Sequence, residues 1–301
     1  MTLTPSLRPD LQGLWVPLIT PFTTAPERQV DHAALGRLVE RLASEGVHGF
    51  VVCGTTGEAS ALSEAEQDAC LRTVAAHARG LPLMMGLGGD ALAPALARLE
   101  HLCHDSTLPP LAALLVGAPA YIRPGQAGAQ HWFEALADAS RLPLVLYDIP
   151  YRSGCELHLD TLLKLAAHPR IVGVKDCGGD LGKTLALIGD GRLQVLAGDD
   201  LQMFGALAQG AAGAIAASLH GRTVDFVALH AALRDNRLAQ ARTLWHGLRT
   251  WIEDCFAEPN PAPIKAWLAA VGACGPTLRP PLQAASPALQ VRLRRHPLSG
   301  G

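Results

Sequence analysis

The sequence predicts an α/β chain folded as a (β/α)8 barrel with a C-terminal helical extension. Three observations predict it. Short apolar, β-branched runs alternate with amphipathic segments eight times, the pattern of parallel strands joined by right-handed crossovers. The chain has 301 residues, enough for a barrel of about 250 residues plus an appendage. After the eighth run only helical periodicity remains.

The strand-like runs are LWVPLIT (14–20), VHGFVVC (47–53), PLMMGLG (82–88), LAALLVG (111–117), PLVLYD (143–148), RIVGVK (170–175), LQVLAG (193–198) and AGAIAAS (212–218). Apolar runs of this length without alternation fit strands buried on both faces. Between the first two, HAALGRLVERLASEG (32–46) places apolar residues at i, i+3 and i+4 and ends on Gly. SEAEQDACLRTVAAHARG (63–80) opens with Ser63 and Glu66 in a capping-box arrangement and also ends on Gly. The last two units are tight and leave room only for short helices. Residues 223–256 predict helix with a break near Asp235-Asn236, then the loop EPNPAP (258–263), then helical periods over 264–272 and 286–296. The organisation predicted is a catalytic barrel over 1–221 and a helical appendage over 222–301, packed on the barrel without a linker.

Bulk properties narrow the function classes. A formal net charge of −2 gives no broad attraction to nucleic acid or acidic membranes. No apolar run is long enough to span a bilayer, and the N-terminal MTLTPSLRPD lacks the pattern of a secretion signal. The seven cysteines are scattered without a CxxC pair, as expected of reduced thiols in a cytoplasmic enzyme. No metal and no cofactor are expected.

In a barrel of this class the chemistry sits where the strands end. Those ends carry GTTGE (54–58), PAYIRP (119–124), YDIPYRSG (147–154), Lys175 closing IVGVK, and GDD (198–200). Lys175 has two readings, a side chain snorkelling to water as its strand ends or a reactive amine at the barrel mouth. A lysine titrates near 10.4 and is a poor nucleophile at neutral pH, but burial or a neighbouring cation favours the neutral amine. Such an amine forms a Schiff base with a ketone, and with an α-keto acid the iminium acidifies the adjacent carbon to give an enamine. Proton transfers then need a positioned acid/base. Tyr147 is the candidate, against the plainer reading of a tyrosine capping a strand. In GTTGE, Thr55 and Thr56 either bind a carboxylate and relay protons or form an ordinary turn with Glu58 in the first turn of a helix.

GTTGE, PAYIRPGQAGAQHWF, YDIPYRSG, GVKDCGGDL, AGDD, GAAGAIAAS and FAEPNPAPIK, in this order over nearly the whole chain, resemble the dihydrodipicolinate synthase and N-acetylneuraminate lyase family. The resemblance implies class I, Schiff-base chemistry on pyruvate and an aldehyde. It assigns the imine to Lys175, acid/base work to Tyr147, and a proton relay to Thr55 and to Tyr121, the latter reaching across a dimer interface. It gives pyruvate binding to Thr56 and Ile215, and the carboxylate of L-aspartate semialdehyde to Arg152, whose planar fork suits a carboxylate. Arg152 marks the synthase branch, since the sialic acid lyases have an apolar residue there. A homo-oligomer, dimer or tetramer, is implied. The chain departs from the family pattern at Asp148 (usually Asn), Ala120 (usually Tyr), Ala59 (usually Ser) and GLG (86–88, usually GTG), departures that bear on the aldehyde. At the effector positions of lysine-inhibited relatives stand Ala59, Glu64, Gln67, Asp90, Pro94 and Ala120, which predicts no inhibition by L-lysine.

Other readings are a related pyruvate or 2-keto-3-deoxy sugar acid aldolase or dehydratase, and a non-catalytic binding barrel. Nucleotide binding at GGDLGKT (178–184) fails because the required glycine falls on Cys177. A metal-dependent aldolase would need ligands at strand ends, whereas His101, Cys103 and His104 read as the end of a helix.

Overall fold

The computed structural model describes residues 8–24 and 26–297. Eight parallel strands close into a barrel in sequence order, each bonded to the next and the last to the first. They are β1 (Gly13–Pro17), β2 (Gly49–Val52), β3 (Leu83–Leu87), β4 (Ala113–Gly117), β5 (Leu144–Asp148), β6 (Ile171–Asp176), β7 (Gln194–Ala197) and β8 (Gly213–Ile215). Each falls within one of the eight apolar runs, apart from a one-residue excess at either end.

Helices fill the crossovers. They are α1 (His32–Ser44), α2 (Glu64–His77), α3 (Leu92–His104), α4 (Gly125–Ala139), the single turn α5 (Pro150–Ser153), α6 (Leu159–Leu165), α7 (Leu181–Asp190) and α8 (Met203–Ala208). The capping box at α2 forms as its sequence predicts, with the Ser63 hydroxyl accepting from the Glu66 amide and Glu66 accepting from the Ser63 amide. The crossover from β7 to β8 holds only the six-residue α8, as the short spacing requires. After β8 come α9 (Thr223–Arg234), α10 (Leu238–Cys255), α11 (Ala262–Ala270) and α12 (Pro287–Leu293). The break between α9 and α10 falls at Asp235–Arg237, where Asn236 takes a left-handed backbone (φ 58).

Two cores result. Leu11, Trp15, Val51, Met84, Leu115, Val145, Leu196 and Ile215 fill the barrel, with the Trp15 indole satisfied by the Leu11 carbonyl at 3.0 Å. A larger core lies between strands and helices. Because strand side chains alternate, Val145 and Tyr147 point into the barrel while Leu144 and Leu146 point to the helices.

The extension is fastened to the barrel mouth by a buried ion pair. Lys265, on α11, bonds Glu58, which ends the GTTGE turn in a left-handed conformation (φ 54). Neither side chain has more than 1 % exposure. The Lys265 ammonium also donates to the Thr277 carbonyl (2.9 Å) and lies 4.2 Å from the centre of the Phe22 ring. Glu58 accepts a second bond from the Arg279 amide (3.0 Å), and the Arg279 guanidinium clamps Glu66 at the start of α2. Glu58 is therefore not a helix-dipole residue in the first turn of α2, the plainer of its two sequence readings.

Breaking a buried pair by removing one partner costs about 3–5 kcal/mol, because the other charge is stranded. Lys265→Met is expected to lower the urea-unfolding free energy by about that much, and Glu58→Gln/Lys265→Met to recover most of the loss. Losses in the double variant equal to the sum of the two single losses would show that the charges do not depend on each other.

Candidate active site

Tyr147 and Lys175 stand directly opposite each other where β5 and β6 pair. Both project inward. The Lys175 ammonium lies 4.2 Å from the centre of the Tyr147 ring, and the side chain is buried at 6 % exposure, so it does not snorkel to water. Gly198 makes room for it. A Cβ there would fall 2.8 Å from Lys175 Cγ, 2.9 Å from Cε and 2.4 Å from Cys177 Sγ.

Thr55 and Thr56 occupy one 3-10 turn immediately after β2, Thr55–Gly57. Thr55 and Tyr147 line the same cavity at the mouth. Burial pushes the Tyr147 phenol well above its ordinary pKa, with nearby Cys177 and Tyr151 adding to the shift and Thr55 opposing it. Tyr147 therefore holds its proton at neutral pH, ready to donate it. Thr56 is buried, and its hydroxyl accepts a hydrogen bond from Asn260 Nδ2 at 2.9 Å. The Thr20 hydroxyl bonds the Gly57 carbonyl at 2.7 Å and holds the turn from the β1 side.

Arg152 sits on α5, which starts at Pro150 and is stopped by Gly154 in a left-handed conformation (φ 69). It is exposed at the mouth and borders two cavities. One, of about 460 Å³, is lined by Arg152, Cys177, Gly198, Asp199, Asp200, Glu258 and Asn260, among others. The second, of about 300 Å³, lies against Thr55, Tyr147, Ala59, Asp90 and Ala120. Burial pushes the Cys177 thiol up to about 12, so it is a neutral wall of the first cavity. Burial likewise raises the Asp200 carboxyl to about 6, against the pull of its bond from the Ser218 amide (2.7 Å).

A buried lysine amine, a protonated phenol, a hydroxyl turn and a guanidinium thus meet at one rim. The chain as a whole is similar to known proteins. Residues 10–296 match the family described as Dihydrodipicolinate synthetase family. The 4-hydroxy-tetrahydrodipicolinate synthase of Xanthomonas axonopodis pv. citri (strain 306) is 37% identical over 284 residues, covering 93% of this chain and 92% of that protein. Synthase 2 of Clostridium acetobutylicum is 33% identical over 95% of this chain and 99% of that one. Among solved structures, a chloride-inhibited dihydrodipicolinate synthase from Acinetobacter baumannii, complexed with pyruvate, superposes with a TM-score of 0.89 at 31% identity, covering 95% of this chain and 97% of that one. The chain belongs to the dihydrodipicolinate synthetase family.

Within this family member, the sequence-predicted residues do not all meet. Lys175, Tyr147 and Thr55 do, through the ring contact and the shared cavity above. Ile215 is wholly buried at the end of β8, in the barrel core. Tyr121 is apart from them in the single chain, 90 % exposed on the loop between β4 and α4 in a left-handed conformation (φ 64). Asp148, which the sequence comparison connected to the aldehyde, lines neither cavity. Its carboxylate turns away from the barrel interior to Lys183 (2.7 Å) and the Leu157 amide (3.2 Å). His101 bonds Asp68 at 2.7 Å near the end of α3, and among the described residues no cluster could hold a metal ion.

Sequence reasoning missed Asn260 as a partner of Thr56, although it lies in the quoted EPNPAPIK run. Nothing local signals a contact across 204 positions. It also missed Asp200.

The Asp200 shift has a definite sign. Its pKa near 6 in the folded chain lies above the ordinary carboxylate value of 3.8, so its stabilising contribution is full below about pH 4 and lost as pH rises through 6. Asp200→Asn, which can still accept the Ser218 bond, should raise stability at pH 8 by up to about 3 kcal/mol and leave it nearly unchanged at pH 4. Thermal or urea unfolding at both pH values checks this. A gain equal at the two would show that Asp200 is not buried as a charge.

Proposed function

We propose that the chain is a class I lyase that condenses pyruvate with L-aspartate semialdehyde to 4-hydroxy-tetrahydrodipicolinate, using Lys175 as the imine-forming residue. The observation that carries this reading is the Lys175 amine held 4.2 Å from the Tyr147 ring in a buried position. The Lys175 amine attacks C2 of pyruvate, and Tyr147 protonates the departing oxygen as water is lost. The iminium draws electrons from C3, which gives up a proton and becomes the carbon nucleophile. That carbon adds to the aldehyde, and a second proton passes to the new alkoxide. The amine of the aldehyde substrate then displaces Lys175 and closes the ring.

Thr55, on the same cavity as Tyr147, relays the proton each step needs. Thr56, fixed by Asn260, receives the pyruvate carboxylate at the buried end, and Ile215 forms the apolar floor. Arg152 at the rim holds the carboxylate of the aldehyde, and that preference for an acidic aldehyde weighs against a neutral sugar aldehyde. Tyr121 completes the relay of a partner subunit, which fits its exposure in the single chain and implies at least a dimer. No helix among the described residues is long and apolar enough to cross a membrane, and we place the enzyme in the cytoplasm.

Incubation with pyruvate and borohydride should leave a reduced three-carbon adduct on Lys175, found by intact mass and peptide mapping. Arg152→Ala should still form the adduct but lose about tenfold to a hundredfold in condensation, the value of a charge-assisted pair of roughly 1.5–3 kcal/mol. An unmodified Lys175 in an active enzyme would sink the imine reading. Equal losses in both steps would remove Arg152 from the aldehyde site.

The cavity beside Tyr147 offers an effector little to hold. Ala59 and Ala120 line it without hydrogen-bonding side chains, Asp90 would repel a carboxylate, and Gln67 is spent on the Ala59 carbonyl at 3.3 Å. Millimolar L-lysine is expected to leave the rate unchanged. Saturable inhibition by the L but not the D isomer would contradict this.

A further inference from the structure

Behind the two inward residues stand two carboxylates. One position after Tyr147 and Lys175, the same strands present Asp148 and Asp176, also opposite each other in the β5–β6 register. Alternation turns both outward, into the layer between strands and helices. Both are buried, at 1 % and 8 % exposure. Two anions side by side in such a place repel each other and lose hydration, and the strand ends that carry them also carry Tyr147 and Lys175.

Lys183 is the cation that pairs with Asp148, and its ammonium lies near Asp176. It enters from the first turn of α7, is buried, and places its ammonium 2.7 Å from Asp148 Oδ2, 3.2 Å from the Leu157 carbonyl and 3.6 Å from Glu156 Oε1. The convergence is visible at Gly178. A Cβ there would fall 2.7 Å from Lys183 Nζ and 3.2 Å from both Asp148 Oδ2 and Asp176 Oδ1. Asp176 is held from the same helix by the Thr184 hydroxyl (2.5 Å) and from the loop by the Gly178 amide (2.9 Å). The start of α7 thus ties the ends of β5 and β6 together from outside.

We propose that Lys183 is a positioning residue for the imine chemistry, its bond to Asp148 beside the Thr184 bond to Asp176 holding the ends of β5 and β6 together so that Tyr147 and Lys175 stay in contact on the inner face. Asp148 and Lys183 form a matched pair. Neither residue touches substrate, since neither lines a cavity of the mouth. The proposal rests on the Schiff-base reading above.

The test compares wild type, Lys183→Met, Asp148→Asn and Asp148→Asn/Lys183→Met. Measurements are kcat and pyruvate KM per folded enzyme, the rate of borohydride trapping on Lys175, and urea unfolding. Lys183→Met is expected to lose about a hundredfold in kcat and in trapping rate, the scale of a 1 Å misplacement, with pyruvate KM changed less than about threefold. The double variant, which removes the stranded charge, should return to within about threefold of wild type. If Lys183→Met does not fold, a folded and active double variant carries the same conclusion. Wild-type kinetics in Lys183→Met, or a double variant no better than Lys183→Met, would overturn the proposal. So would a Lys183→Met that loses stability but keeps kcat per folded molecule. Absence of the adduct in wild type would instead remove the imine reading itself.

Discussion

Two charges without access to water join the barrel to its extension. Lys265 and Glu58 face each other across 207 positions of sequence, with Phe22 against the ammonium and the Arg279 amide against the carboxylate. Burial pulls the Lys265 ammonium down from its ordinary pKa, and Glu58 opposes that shift. Much of the mouth hangs on this contact. Glu58 ends the turn that bears Thr55 and Thr56, and Lys265 lies in the first turn of the helix that follows Asn260, the partner of Thr56. The helical extension is therefore part of the site's scaffold. It holds the buried end of the threonine turn, while β5 and β6 hold the opposite side.

The mouth shows a consistent division between the two faces of a strand. Inward positions carry Tyr147 and Lys175, the proposed reactive groups; the next position outward carries a carboxylate in each case. Reactive groups need partial burial and a fixed approach, and only packing behind them provides the second. On β5 and β6 that backing is polar, built from Asp148, Asp176, Lys183 and Thr184. Elsewhere it is the apolar layer against the helices. Polar backing is directional, so it fixes register in a way that an apolar layer does not.

The electrostatics of the mouth separate proton donors from bystanders. Burial keeps Tyr147 and Cys177 protonated at neutral pH. Tyr147 shares its cavity with the Thr55 hydroxyl. Arg152 is an exposed cation bordering both cavities of the mouth.

The sequence by itself determined the fold class, the order of the strands and the rim residues. Apolar runs of six or seven residues recur at the spacing of β/α units, and hydrophobic period alone places Lys175 and Tyr147 at strand ends. The capping box at Ser63 and the break at Asp235-Asn236 were legible for the same reason, since each is a local preference of a few neighbouring residues. Contacts between distant segments were not legible. Asn260 with Thr56, Lys265 with Glu58 and Lys183 with Asp148 join residues that share no local pattern, and a lone lysine in a helix looks the same in sequence whether solvated or buried. Asp148 shows the difference most plainly. In sequence it was a departure beside a catalytic tyrosine, and only strand alternation in the closed barrel decided that its charge faces α7 and not the substrate.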